Sequence, residues 1–150
     1  MWINMVFLPY IPIRLKDVMV EPVITLHGEA ELMDVVKLMA EKDIGCIVVV
    51  NNDRKVCGII SERDIIKALG SKSFLENLKV KDVMSKDIMC MEEHRPIVEA
   101  LRIMLANKIR HLPVVDSENK LRGIVSLRDI AGSVFMSLMT ILSYVISNRT

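Results

Sequence analysis

The sequence has no surplus of either charge. Twenty Lys and Arg stand against nineteen Asp and Glu, a formal net charge of +1 at pH 7. That balance excludes a nucleic-acid binder that works through bulk charge. Cysteine is scarce: Cys46, Cys57 and Cys90 make an odd count without metal-ligand spacing. Cys46 and Cys57 fall in apolar runs and are expected to be small core residues. No nucleophile–base pair, metal cluster or Walker-type phosphate loop is present, so catalysis is not expected. The opening MWINMVFLPYIPI lacks the basic stretch and small-residue cleavage site of a secretory signal peptide. A reducing cytoplasm is the expected setting. The 150 residues are 51% hydrophobic and 26% charged, enough for a packed core of one ordinary domain or two very small ones.

The chain repeats itself. GIISERDI (Gly58 to Ile65) returns as GIVSLRDI (Gly123 to Ile130), and residues 16–65 align on 81–130 without a gap, with 15 of 50 positions identical. The identities cluster at the two ends, where Lys16-Asp17-Val18-Met19 matches Lys81-Asp82-Val83-Met84. A fixed-period repeat of this kind marks a duplicated supersecondary unit. Each copy reads as an opening turn (14–20; 79–85), a short strand (22–26; 87–91) and an amphipathic helix. Leu32, Val35, Val36 and Met39 recur at helical spacing in the first copy. Val98, Leu101, Met104 and Leu105 do so in the second, with Pro96 suited to a first helical turn. The β-branched runs CIVVV and LPVV then read as strands. Polar turns NNDRK and DSENK lead to return strands VCGII and LRGIV, which makes a hairpin in each copy. A second helix opens at Arg63-Asp64 or Arg128-Asp129. The order is β-α-β-β-α, twice, an α+β fold. A copy of about 50 residues buries its own sheet poorly. Two copies related by a pseudo-twofold axis and packed through their sheets bury both, and leave paired clefts between them suited to small ligands.

Within the repeated phrase, Gly58 and Gly123 sit in a strand, where glycine costs stability and marks close approach. Ser61 and Ser126 stand at the strand-to-helix junction, three residues before Asp64 and Asp129. Ser-x-x-Asp at a helix start is a capping-box-like pattern, and helix capping alone accounts for both residues. The same geometry serves binding: helix N-termini attract anions, and a carboxylate beside them accepts two hydrogen bonds from a vicinal diol such as a ribose. Arg63 and Arg128 add charge for a phosphate. Both readings stand at this point.

The two copies resemble a tandem pair of CBS motifs, the small modules named for cystathionine β-synthase. The resemblance rests on the G-h-h-S-x-R-D phrases at Gly58–Asp64 and Gly123–Asp129, on RHLPVVD at Arg110–Asp116 and on the DVM openings, and it covers about 16–130. It implies a Bateman module that binds an adenosine-containing ligand (AMP, ADP, ATP or S-adenosylmethionine) between the copies and regulates an attached or separate effector protein. By that resemblance Asp64 and Asp129 would hold ribose hydroxyls, with Ser61, Ser126, Arg63 and Arg128 near ribose or phosphate. Thr25 would touch the ligand after the first strand, and the adenine would lie among strand residues such as Ile47 and Leu112. The copies differ: the second has Arg110-His111-Leu112-Pro113 where the first has Gly45-Cys46-Ile47-Val48, so only the second offers an Arg-His pair to a phosphate. A structural role for His111 competes with that contact. The resemblance also implies a homodimer.

From Ile130 to Asn148 there is no charge. Ser133, Ser137, Thr140, Tyr144 and Ser147 form a hydroxyl stripe, and Ala131, Phe135, Leu138, Leu142 and Val145 an apolar, coiled-coil-like seam opposite it. The stretch approaches bilayer length, yet it continues the helix begun at Arg128-Asp129 without charged flanks. Burial against the apolar N-terminal arm (Trp2, Val6, Phe7, Leu8) or a partner subunit is the expectation, not membrane insertion. The expected segments are an arm (1–13), two motifs (14–78; 79–132) and a helical extension (133–150). The competing functions are a ligand sensor for a separate partner and an assembly module without a switch.

Overall fold

The computed structural model describes residues 11–71 and 77–148. The arm residues Trp2, Val6, Phe7 and Leu8 lie outside the described residues.

The first copy builds β1 (Thr25–Leu26), α1 (Leu32–Lys42), β2 (Cys46–Val50), β3 (Val56–Ser61) and α2 (Glu62–Ser71). The second builds β4 (Met91–Glu92), α3 (Ile97–Asn107), β5 (His111–Val115), β6 (Leu121–Ser126) and α4 (Leu127–Ser147). Each copy forms its own three-stranded sheet, β1-β2-β3 and β4-β5-β6, with the first pair parallel and the hairpin antiparallel. The hairpin turns are held alike. Asn51 Oδ1 accepts from the Asp53 and Lys55 amides, and Asp116 Oδ1 from those of Glu118 and Lys120, all at 2.9–3.0 Å. Such Asx turns explain why polar residues open both turns.

Both sheets are two-sided. Ile47, Val49 and Ile60 face α1 beside Leu32, Val35 and Met39, and Leu112, Val114 and Val125 face α3. On the other faces Val48, Val50 and Val56 meet Val115 and Leu121, so the copies pack sheet to sheet. Each such side chain stabilises the fold by about 1.5–3 kcal/mol when fully buried.

Three sequence expectations change. The inward face of α3 is Ile97, Ala100 and Met104, while Val98 and Leu105 are exposed. Of the expected stripe Val98, Leu101, Met104 and Leu105, Met104 is buried, and the helix, capped at Pro96, turns Ile97 and Ala100 inward beside it. Cys57 is exposed rather than core, because the pairing steps from Val49–Gly58 to Val50–Val56 and skips Cys57, which is left at an irregularity of the strand. The opening strands are only two residues long. The chain before each pairs with the other copy instead: Val20 bridges Ile124, and Ser85 bridges Ile59.

That exchange runs deeper. The opening turn Leu15–Asp17 buries Leu15 and Val18 in the second copy's core, beside Met91, Met104 and Ile130. Its counterpart Val80–Asp82 buries Val80 in the first copy's core, beside Leu32 and Ile65. The methionines that follow reach across too. A Cβ at Gly58 would meet Met84 Sδ at 2.5 Å, and one at Gly123 would meet Met19 Sδ at 2.6 Å. The strand glycines therefore mark an approach by the other copy's methionine.

Helix α4 leaves the body after its first turns. Ile130 and Ser137 are buried, whereas Phe135, Leu138, Leu142 and Val145 stand 45–59% exposed. The apolar seam thus faces away from the described residues, and the hydroxyl stripe supplies the inner face at Ser137. The helix is long and apolar enough to cross a membrane by length and composition.

Candidate functional site

Two strand ends turn into helices at the repeated phrase. Ser61 closes β3 and Ser126 closes β6. The Ser61 amide and hydroxyl both donate to Asp64 Oδ2, at 2.8 and 2.6 Å. Ser126 does the same to Asp129 Oδ2, at 2.9 and 2.6 Å, and accepts from the Asp129 amide at 3.0 Å. The capping contacts are therefore present. They also orient each carboxylate: Oδ2 is occupied, while Oδ1 has no hydrogen bond among the described residues. A half-buried carboxylate with one fixed and one unused oxygen, at the positive end of a helix, is prepared to accept from a polar ligand.

Each carboxylate opens onto its own cleft, and each cleft is walled by both copies. The Asp64 cleft, about 430 Å³, brings Ser61, Arg63 and Asp64 of the first copy against Arg110, His111 and Pro113 of the second. The Asp129 cleft, about 1150 Å³, joins Ser126, Arg128 and Asp129 to Gly45 and Glu62 of the first copy, and again to Arg110 and His111. Arg110 and His111 are a wall common to both. They stand there because the chain turns from α3 into β5 at this point, with the Arg110 carbonyl accepting from the Leu127 amide.

His111 and Cys46 occupy equivalent positions at the starts of β5 and β2. Burial, and then the Arg110 charge, lower the His111 pKa from 6.5, against the opposing pull of Asp129 and Glu62. The imidazole is neutral at neutral pH and offers a hydrogen bond rather than a charge. Burial, reinforced by Asp64, pushes the Cys46 thiol up to about 12.

Not every sequence candidate reaches the clefts. Ile47 and Leu112 have no exposed surface and belong to the helix-facing cores. Thr25 is half-buried in β1 opposite Val48 and lines neither cleft. Lys67, Asp87 and Lys108 join the Asp64 cleft and Asp43 the Asp129 cleft, all beyond the repeated phrase, and Glu62, from inside the first phrase, faces the Asp129 cleft. Only one signal foreshadows them: the gapless alignment sets Asp43 against Lys108, an opposite charge at the same helix end.

The CBS domain family matches this chain twice, at residues 15–71 and 80–135. The chain is 41% identical over 117 residues to inosine-5'-monophosphate dehydrogenase of Methanocaldococcus jannaschii, covering 78% of this chain but only 23% of that enzyme. It is 36% identical over 118 residues to an uncharacterised 17.7 kDa protein of Acidianus ambivalens, covering 79% of this chain and 71% of that one. Among solved structures it is similar to the CBS domain pair of protein MJ0100 in complex with 5'-methylthioadenosine and S-adenosyl-L-methionine. The TM-score is 0.72 at 30% identity, over 80% of this chain and 94% of that one.

Proposed function

Because this chain belongs to the CBS domain family and carries the domain twice, we propose that it is a regulatory module that binds an adenosine-containing ligand and passes the change to a separate effector protein. The observation that carries this reading is the doubled Ser–Asp pair, with one carboxylate oxygen unused at the mouth of each cleft. A ribose diol donates to such an oxygen, and Arg63 or Arg128 stands by for a phosphate. AMP, ADP, ATP and S-adenosylmethionine all carry that diol. The similar CBS pair bound to 5'-methylthioadenosine and S-adenosyl-L-methionine supports the ligand class. Both clefts are walled by both copies. A ligand that bridges them favours one relative placement of the copies, and a partner that prefers this placement would sense the ligand.

A thermal-shift panel with AMP, ADP, ATP and S-adenosylmethionine tests the reading on the wild type, Asp64→Ala and Asp129→Ala. A ligand at a hundred times its dissociation constant stabilises by about 2.7 kcal/mol. A shift lost in one aspartate variant is the expected result. Absence of any shift, in proteins that still melt cooperatively, would leave the phrase as helix capping and favour the assembly reading.

The exposed seam of α4 supports association of two copies in a twofold homodimer, since contiguous exposed apolar faces mark interfaces. Sedimentation of the wild type as a dimer, and of Phe135→Glu/Leu142→Glu as a monomer, is expected. A monomeric wild type, or one captured by lipid vesicles, would refute the pairing.

A further inference from the structure

We propose that the two clefts are sorted by charge: the Asp64 cleft takes a phosphorylated adenosine ligand, and the Asp129 cleft takes an adenosine ligand without phosphate, of the thioether or sulfonium class. This rests on the adenosine-binding reading above and divides it between the two sites.

The Asp64 cleft is lined by the cations Arg63, Lys67, Lys108 and Arg110, against the carboxylates Asp64 and Asp87. Four against two leaves a formal charge of +2. Among the described residues none of these four cations is in an ion pair, so all four are available to an incoming anion. The Asp129 cleft carries Arg110 and Arg128 against Asp43, Glu62 and Asp129, a formal charge of −1. Arg110 is common to both, so the contrast comes from the residues that differ. Enclosed clefts focus the field of their wall charges, which favours a ligand of opposite sign.

The contrast is written at equivalent positions of the repeat, 65 residues apart. Lys108, at the end of α3, corresponds to Asp43, at the end of α1. Lys67 corresponds to Gly132, and Arg110 to Gly45. One cleft has gained cations where the other has an acid or nothing. Both retain the Ser–Asp pair that would receive a ribose. The two sites therefore share the sugar end of a ligand and differ at the end where its 5' substituent lies. A phosphate suits the cationic wall; a thioether or a sulfonium suits the acidic one.

Lys108 and Asp43 also allow a clean test. Both are exposed, and both hold left-handed backbone with φ of 55° and 52°. Each therefore accepts the residue found at the other without new strain. Isothermal titration of the full chain with AMP and with 5'-methylthioadenosine, on the wild type, Asp64→Ala, Asp129→Ala, Lys108→Asp and Asp43→Lys, reads the assignment. AMP binding is expected to weaken about tenfold or more in Asp64→Ala and Lys108→Asp and to persist in Asp129→Ala, because reversing one charge near a phosphate changes the binding energy by that order. Binding of 5'-methylthioadenosine is expected to disappear in Asp129→Ala and to persist in Lys108→Asp. Asp43→Lys is expected to create a second AMP site. Binding of both compounds with loss of each in the same aspartate variant, or AMP affinity indifferent to Lys108→Asp, overturns the sorting and leaves adenosine binding standing. No heat from either compound, with a cooperative melting transition intact, overturns the adenosine reading itself and the sorting with it.

Discussion

Replacing Gly123 with alanine tests how the two copies are held together. The added Cβ would lie 2.6 Å from Met19 Sδ, 2.9 Å from its Cγ and 3.0 Å from its Cβ. Carbon atoms pack best at about 3.5–4.0 Å, so the methionine must move as a whole. Its backbone resists. The Met19 amide donates to the Leu15 carbonyl at 2.8 Å, and the next amide, of Val20, donates to Ile124 at 2.8 Å. Overpacking of this kind costs about 1–3 kcal/mol. Gly123 does not adopt positive φ, so alanine also narrows the unfolded ensemble and returns about 0.4–1 kcal/mol. The net loss is about 1–2 kcal/mol, which lowers Tm by roughly 2–8 °C in a chain of this size. Thermal melts of Gly123→Ala, Met19→Ala and the double variant read it as a cycle. Alanine at 123 should cost far less once Met19 is truncated. The matching cycle at Gly58 and Met84 should recover less, because the Ser85 carbonyl oxygen, at 3.0 Å, also blocks a Cβ there and belongs to the backbone. A Gly123→Ala protein as stable as the wild type, or an equal loss with and without Met19, would refute this account.

Protonation gives a second check. The folded His111 pKa lies below the ordinary 6.5, so the unfolded chain takes up this proton first. Its contribution to stability is full above pH 6.5 and declines as pH falls from there toward the folded value. Urea melts between about pH 7.5 and 5.5 should show that slope in the wild type and less of it in His111→Asn; identical slopes would count against it. Thiol chemistry gives a third. At mildly alkaline pH the exposed Cys57 should react with a disulfide reagent in the native protein, whereas the buried Cys46, its thiol pushed up to about 12, should react only after unfolding. Equal rates for the two would refute the burial of Cys46. Ser126→Ala removes the hydroxyl that accepts from the Asp129 amide and should cost about 1 kcal/mol of stability as a lost N-cap, read by chemical denaturation; no loss would show that the cap adds nothing here.

The elements were largely legible in the sequence because the repeat writes each of them twice. Apolar spacing in α1, β-branched runs in β2 and β5, and polar turns at Asn51 and Asp116 all appear where local chemistry demands them. What escaped was everything decided by the other copy. KDVM reads identically in both openings, and nothing local states which core Leu15 or Val80 enters. A continuous run such as CIVVV conceals which side chains face helix and which face sheet, so Ile47 looked available to a ligand and is core instead. At the site the Ser–Asp–Arg phrase could be read directly. Lys108, Asp87 and Asp43 could not, because folding, not adjacency, carries them to the clefts, and folding also turns Glu62, within the phrase, to the opposite cleft from Asp64.

The exchanged opening turns bear on how the molecule is born. Leu15 leaves a ribosome well before the pocket that receives it, which is made largely of residues between Met91 and Ile130. At about 5–20 residues per second, synthesis takes roughly 6–23 s to bring Ile130 out after Leu15. Until Val80 follows, the first copy lacks the side chain that closes its core, and until Ile130 follows, the Leu15 turn stays unsheltered. The first half can therefore close once Val80 has emerged, whereas the opening turn that precedes it is seated only when the second half has been made.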